Sequence, residues 1–101
     1  MSPLRTRMIE DMTLAGLALG TQRVYTHAVR QLSAHYRRSP DQLSEEEVRG
    51  YLLDLCRRGA ARGTFKGAHY GLRFFYKQTL GRTWALFGEK KDRSATAEAA
   101  A

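Results

Sequence analysis

The sequence has little of what several common classes of protein need. It contains one cysteine, Cys56, which excludes an intramolecular disulfide and is typical of a reducing compartment. Alternating valine, isoleucine and threonine residues are scarce, which argues against a β-sheet protein. No stretch approaches the roughly 18 apolar residues of a membrane span, and the N-terminus lacks the apolar segment of a signal peptide. We therefore expect a cytoplasmic protein.

Carboxylates are outnumbered by cations. The 101 residues include ten Asp and Glu against 17 Lys and Arg, which gives a formal net charge of +7. Thirteen of the cations are arginine, whose planar guanidinium suits phosphates and base edges. This length supports one domain and not two independent cores. The charge indicates an anionic partner, either nucleic acid or an acidic membrane surface.

Hydrophobic residues at helical spacing predict an all-α, compact four-helix domain over residues 1–88. The first helix is expected to begin with Ser2 as its N-cap and to end at Gly16. The second is expected to span residues 19–36. Residues 89–101, charged and then rich in alanine, are expected to be a flexible linker or tail.

The third helix has the clearest predicted start. Ser44 and Glu47 have the spacing of a capping box, in which each side chain bonds the backbone N–H of the other residue. Gly59 is expected to end this helix, and a fourth helix is expected over residues 63–80 with Gly81 as its stop.

Each predicted helix carries an apolar stripe that we assign to the core. The expected core residues are Leu4, Met8, Met12 and Ala15 in the first helix; Tyr25, Ala28, Val29, Leu32 and Tyr36 in the second; Val48, Tyr51, Leu52, Leu55 and Cys56 in the third; and Phe65, Ala68, Leu72, Phe75, Tyr76 and Thr79 in the fourth. Trp84, Leu86 and Phe87 follow as a short apolar hook.

The cations gather on two helices. On the second helix a face without acids lies opposite the apolar stripe, and on the fourth a basic flank runs beside the core stripe with Tyr70 next to it. An ordinary solvated face would mix charges of both signs to gain i,i+4 pairs. These residues are the candidate DNA contacts: Arg23, His27, Arg30 and Arg37 on the second helix, and Arg62, Lys66, Tyr70, Arg73 and Lys77 on the fourth. The Arg57-to-Arg62 connection adds further cations.

Three glycines recur every four residues on the fourth helix, at Gly63, Gly67 and Gly71. Each costs about 1 kcal/mol relative to alanine in a helix, so something must approach the helix closely. Two causes are open: a neighbouring helix that packs tightly, or DNA pressed against the backbone. A membrane surface is disfavoured as the partner because the second helix has only Ala34 as an apolar residue beside its basic face.

Six short segments of the sequence, in their order and spacing, together carry a resemblance to a known family. They lie at residues 8–12, 16–17, 21–25, 29–32, 39–40 and 72–80. In this order and spacing the sequence resembles the N-terminal SAM-like core-binding domain of tyrosine recombinases, the phage-integrase and Xer-type enzymes, over residues 3–87. The resemblance implies a four-helix domain that grips one face of duplex DNA with its second and fourth helices in the major groove.

Some positions depart from the family pattern. Ala18 and Ala61 stand where serine is usual before the second and fourth helices, so both helices lose a good N-cap. His69 replaces an apolar residue and is expected at the edge of the core. His27 and Arg30 reproduce the H-x-x-R spacing of recombinase active sites, but no second arginine with a downstream histidine and tyrosine follows. We expect no catalytic residues, metal or cofactor in this chain.

The expected function is therefore DNA binding as part of a site-specific recombinase, in association with the nucleoid. Double-stranded DNA is the expected partner, and other recombinase protomers in a synaptic complex are a further one. Two alternatives remain open. One is a protein-interaction module that docks through the glycine face and the apolar hook; the other is a free-standing regulator that occupies recombination sites.

Overall fold

The computed structural model describes residues 3–87, and within that range it contains helices and no strands. The all-α prediction and the number of long helices are thereby confirmed. The expected N-cap Ser2, the boundary at residue 88 and the tail lie outside the described residues. The helices are α1 (Pro3–Leu14), α2 (Leu19–Tyr36), α3 (Glu45–Arg57) and α4 (Arg62–Phe74), with short 3₁₀ turns at Pro40–Gln42 and Ala85–Phe87.

The predicted helix boundaries follow from local chemistry. At the start of α3, Ser44 Oγ accepts a hydrogen bond from the Glu47 N–H at 3.1 Å, and a Glu47 carboxylate oxygen accepts from the Ser44 N–H at 2.9 Å. This capping box is the one predicted. The bond to the Ser44 backbone is also the main reason that the pKa of Glu47 lies below its usual value. As expected, Ala18 and Ala61 cap α2 and α4 without a side-chain hydrogen bond.

Most of the predicted core is buried. The largest fully buried side chains are Tyr76, Phe75, Met8, Met12, Leu32, Leu43, Leu72 and Val48. The prediction was wrong for Cys56, which is exposed. Cys56 lies in the last turn of α3, at the edge of its apolar stripe. The buried part of that stripe ends at Leu55. Ala15 is exposed as well, because α1 ends at Leu14.

The prediction of one continuous helix over residues 63–80 was wrong, because the α-helix ends at Phe74. After Phe74 one π-helical turn, Phe75–Thr79, follows, and the Leu80 N–H reaches the Phe75 carbonyl at 3.0 Å. Both Phe75 and Tyr76, in this turn, are fully buried. Thr79 turns toward α1, where its hydroxyl donates to Asp11 at 2.9 Å.

The glycines of α4 mark its contact with α2. A Cβ at Gly71 would lie 2.9 Å from the Tyr25 Cα, and one at Gly67 would lie 2.7 Å from a Val24 methyl carbon. Nothing lies within 4 Å of a Cβ built at Gly63. Helix packing therefore accounts for the glycines at positions 67 and 71, whereas Gly63 faces open space.

The apolar hook holds the C-terminal end of the described chain against the start of α3. The Arg82 guanidinium donates to the carbonyls of Leu43 at 3.2 Å and Asp41 at 2.5 Å. It also lies over the rings of Tyr76 and Trp84, at 5.8 and 5.3 Å from their centroids. Within the hook, Phe87 is buried in the core, and the half-buried Trp84 and Leu86 pack against it. None of the described helices is long and apolar enough to cross a membrane.

We predict opposite effects of alanine at two of the α4 glycines. Gly71→Ala forces a methyl group against the Tyr25 backbone and should lower the free energy of unfolding by about 1–3 kcal/mol. Gly63→Ala, at an open position, should raise it by up to about 1 kcal/mol through helix propensity. Urea denaturation followed by circular dichroism measures both. Equal effects of the two substitutions would contradict the packing account.

Candidate nucleic-acid interface

The charges of the domain are segregated by helix. Neither α2, α4 nor the π-helical turn contains an aspartate or glutamate. Several carboxylates elsewhere are engaged in structural contacts: Glu47 in the capping box and with Arg38, Asp54 with Arg58 at 2.9 Å, and Glu45 with the Leu86 N–H at 2.7 Å. The cations of α2 and α4 therefore have no acidic neighbour on their own helix.

Three of the predicted contacts on α2 meet in one cleft. Arg23, His27 and Arg30 line it together with Thr26, and its volume is about 230 Å³. All three are exposed. The fifth lining residue is Arg5 of α1, which sequence reasoning missed. The apolar stripe of α1 predicts which face is buried, but it does not reveal which residues of α2 stand beside Arg5.

A second cleft gathers predicted contacts from α4 and from the π-helical turn that follows it. Tyr70, Arg73 and Lys77 line it, and the ring of Phe74 forms part of its wall. Tyr25 of α2 lies on the opposite side, with its ring centroid 6.3 Å from that of Phe74. The Tyr70 side chain is exposed, whereas Arg73 and Lys77 are half-buried.

The remaining predicted contacts do not line either cleft. Arg37 ends α2 in a left-handed conformation, with φ of 55°, and its N–H donates to the Ser33 carbonyl. Arg62 and Lys66 lie on the first turns of α4. The side chains of Arg37, Arg62 and Lys66 are all exposed. The structure thus brings the predicted residues together as two groups, and leaves three of them separate on the surface.

The α4 N-terminus faces a larger groove between α2, α3 and α4. Gly63 and Thr64 line it opposite Arg23 and His27, over a volume of about 620 Å³. Because Ala61 provides no side-chain cap, the first N–H groups of α4 have no side-chain acceptor from that residue. Such N–H groups, beside cationic side chains, suit a phosphate oxygen.

Three tyrosines have structural tasks. Burial raises the pKa values of Tyr51 and Tyr76 and also that of Tyr36. The hydroxyl of Tyr36 donates to the Glu47 carbonyl at 2.7 Å, and that of Tyr76 donates to the Pro40 carbonyl at 2.6 Å. A raised pKa opposes the use of these hydroxyls as nucleophiles.

Within residues 3–87 no three His, Cys, Asp or Glu side chains form a group that could hold a metal ion.

Comparison with known proteins identifies the class to which this helical domain belongs. Residues 4–86 match the family model of the phage integrase N-terminal SAM-like domain, and the chain belongs to that family. The chain is also similar to a protein of Sinorhizobium fredii named as an integrase/recombinase, with 38% identity over 85 residues. The similar region covers 83% of this chain and 28% of the relative's length. No solved structure matches the chain significantly.

His69 lies at the edge of the core, as expected. Its ring stacks on Phe65 at a centroid distance of 6.0 Å and meets Phe87 edge-on at 5.7 Å. Burial, and to a smaller extent the positive charge of Arg73, lowers the pKa of His69 from its usual value of 6.5. The folded protein therefore binds this proton less tightly than the unfolded chain does.

We predict a pH dependence of stability that originates at His69. The free energy of unfolding should be at its full value above about pH 6.5 and should fall as the pH drops through the lowered pKa of the folded state. His69→Leu should flatten this dependence between about pH 7.5 and 5.5. Denaturation curves of both proteins across that range test the assignment. An unchanged slope in the variant would show that another group is responsible.

Proposed function

We propose that this domain binds double-stranded DNA through the basic surfaces of α2 and α4, as the DNA-gripping part of a recombinase. The observation that carries the proposal is the pair of cationic clefts on two acid-free helices that pack directly against each other. One cleft gathers Arg23, His27 and Arg30. The other gathers Arg73 and Lys77 with the exposed ring of Tyr70.

The chemistry of the two clefts suits the DNA backbone. Arginine presents a planar fork of donors to phosphate oxygens, and lysine contributes a mobile point charge. Arg37, Arg62 and Lys66 extend the cationic surface beyond the clefts. Tyr70 and His27 are the side chains suited to contacts with sugars and base edges. Most contacts then position the duplex without reading its sequence.

The family supports a role in recombination. The relative named as an integrase/recombinase is much longer than the region of similarity, and we assign strand cleavage to a part of such proteins outside this domain. The domain then holds one face of the recombination site, in association with the nucleoid, while neighbouring protomers occupy the rest. The hydroxyls of Tyr36 and Tyr76 agree with this division, because both already donate to backbone carbonyls.

The protein-interaction alternative loses its two expected docking surfaces. Gly67 and Gly71 are covered by α2. In the hook, Phe87 is buried and Trp84 stacks on Tyr76 at a centroid distance of 4.5 Å. These side chains already have partners within the domain. The regulator alternative shares the DNA interface and differs only in whether the bound domain blocks a full recombinase.

We predict that reversing one charge in each cleft weakens DNA binding. Arg30→Glu and Arg73→Glu should each raise the Kd for duplex DNA by roughly tenfold or more, because each removes a phosphate contact and adds repulsion. For the unmodified protein, with about four to six phosphate contacts, log K should fall with log salt at a slope near −4 to −5. Fluorescence anisotropy of a labelled duplex measures both quantities.

Arg49→Glu is the matched control. Arg49 is exposed on α3, outside both clefts, and the same change of charge there should have a much smaller effect. Circular dichroism must show that all three variants remain folded. A loss that is equal at all three positions would contradict the assignment of the interface to the two clefts. No binding by the unmodified protein at low salt would favour the protein-interaction alternative.

A further inference from the structure

The cleft beside α4 includes a polar residue that the proposed function does not use. Gln78 belongs to the π-helical turn and lines the same cleft, of about 140 Å³, as Tyr70 and Phe74. These three residues follow one another at intervals of four, so they form one row along this side of the helix. The Gln78 side chain is exposed, and its amide forms no hydrogen bond within residues 3–87. A group with both a donor and an acceptor is therefore presented at the cleft.

The π-helical turn fixes the direction in which Gln78 extends. Its neighbours in the turn point inward: Phe75 and Tyr76 are fully buried, and the Thr79 hydroxyl donates to Asp11 of α1 at 2.9 Å. The turn is thus anchored on its buried side. Gln78 extends from a packed element and not from a loop, as a precise contact requires.

The other amide side chains of the protein are placed differently. The sequence contains four glutamines and no asparagine. Gln22 is buried and donates to a backbone carbonyl at 3.0 Å. Gln31 lies 3.4 Å from a ring nitrogen of His27. Gln42 is exposed on the first 3₁₀ turn, outside both basic clefts. Gln78 is therefore the glutamine that lines the α4 cleft.

The walls around this amide are apolar. Leu17 lines the cleft, and the rings of Tyr25 and Phe74 face each other across it at a centroid distance of 6.3 Å. In the major groove of DNA, adenine presents an acceptor and a donor side by side, and a glutamine amide matches both at once. Thymine presents a methyl group, which favours an apolar neighbour. Guanine presents two acceptors, which suit arginine or lysine instead. The combination of an amide and an apolar wall thus favours an A·T pair.

We propose that Gln78 recognises an A·T base pair in the major groove. Its amide bonds N6 and N7 of adenine, and the thymine methyl group lies against the wall formed by Leu17 and Phe74. The inference rests on the proposed function, because the base pair belongs to the bound duplex. It adds one position of sequence preference to a domain whose other contacts mostly hold the DNA backbone.

The test first finds the preferred sequence and then changes the residue that is proposed to recognise it. The full chain selects duplexes from a pool with a randomised central segment, and the bound fraction is sequenced. Gln78→Ala, Gln78→Glu and the control Gln42→Ala go through the same selection. Circular dichroism shows whether each variant is folded. Fluorescence anisotropy at one salt concentration then gives the Kd for duplexes that differ only at the selected A·T pair.

We expect the unmodified protein and Gln42→Ala to select the same A·T pair, and its replacement by G·C to raise their Kd by roughly fivefold or more. Gln78→Ala should lose the preference at this pair and keep it at any other selected pair. Gln78→Glu should prefer cytosine in place of adenine, because a carboxylate accepts from the N4 amino group of cytosine. This second variant tests the contact even if Gln78→Ala is poorly folded.

The outcomes separate this inference from the proposed function. If the unmodified protein binds DNA in a salt-dependent way but selects no A·T pair, base recognition by Gln78 is refuted and DNA binding stands. The same conclusion follows if both Gln78 variants keep the preference, or if Gln42→Ala loses it equally. If the unmodified protein binds no DNA at low salt, both proposals are overturned together.

Discussion

The close approach of α2 and α4 is the constraint on which the other features of this domain depend. At Gly71 the two backbones come so near that a single added carbon would meet the Tyr25 Cα at 2.9 Å. A glycine in a helix costs about 1 kcal/mol, and the dense packing that it permits offsets this cost. The same contact holds the two acid-free helices side by side. Without it, the cations of α2 and α4 would belong to separate surfaces.

The distribution of acids complements this arrangement. Glu47 caps α3, Glu45 accepts from the hook, and Asp11 ties the π-helical turn to α1 through Thr79. Each of these carboxylates stabilises a junction between elements, and none lies on α2 or α4. These acids thus serve contacts within the fold, as do the cations Arg38, Arg58 and Arg82.

The sequence predicts the local features well, because they depend on neighbouring residues. The capping box at Ser44 and the uncapped start at Ala61 are decided within one helical turn. The glycine stripe also predicts a close approach, although not which surface makes it. Features that depend on more distant packing are missed. Cys56 is at the edge of an apolar stripe, and only the extent of the packed face decides that it is exposed. Arg5 is an ordinary surface arginine until the turn after α1 brings it to α2.

The candidate site also depends on packing between helices that are distant in the sequence. Helical spacing correctly groups cations on one helix, but a cleft for a phosphate needs side chains from two directions, which only tertiary structure provides. In the proposed complex the α1–α2 cleft and the α4 cleft hold the backbone at two separate places. Phosphate contacts carry no sequence information directly, so two fixed places would orient the duplex and leave discrimination to the exposed His27, Tyr70 and Gln78, which line the two clefts. The domain would then contribute mainly position, and a partner that grips the other face of the duplex would contribute the rest of the specificity.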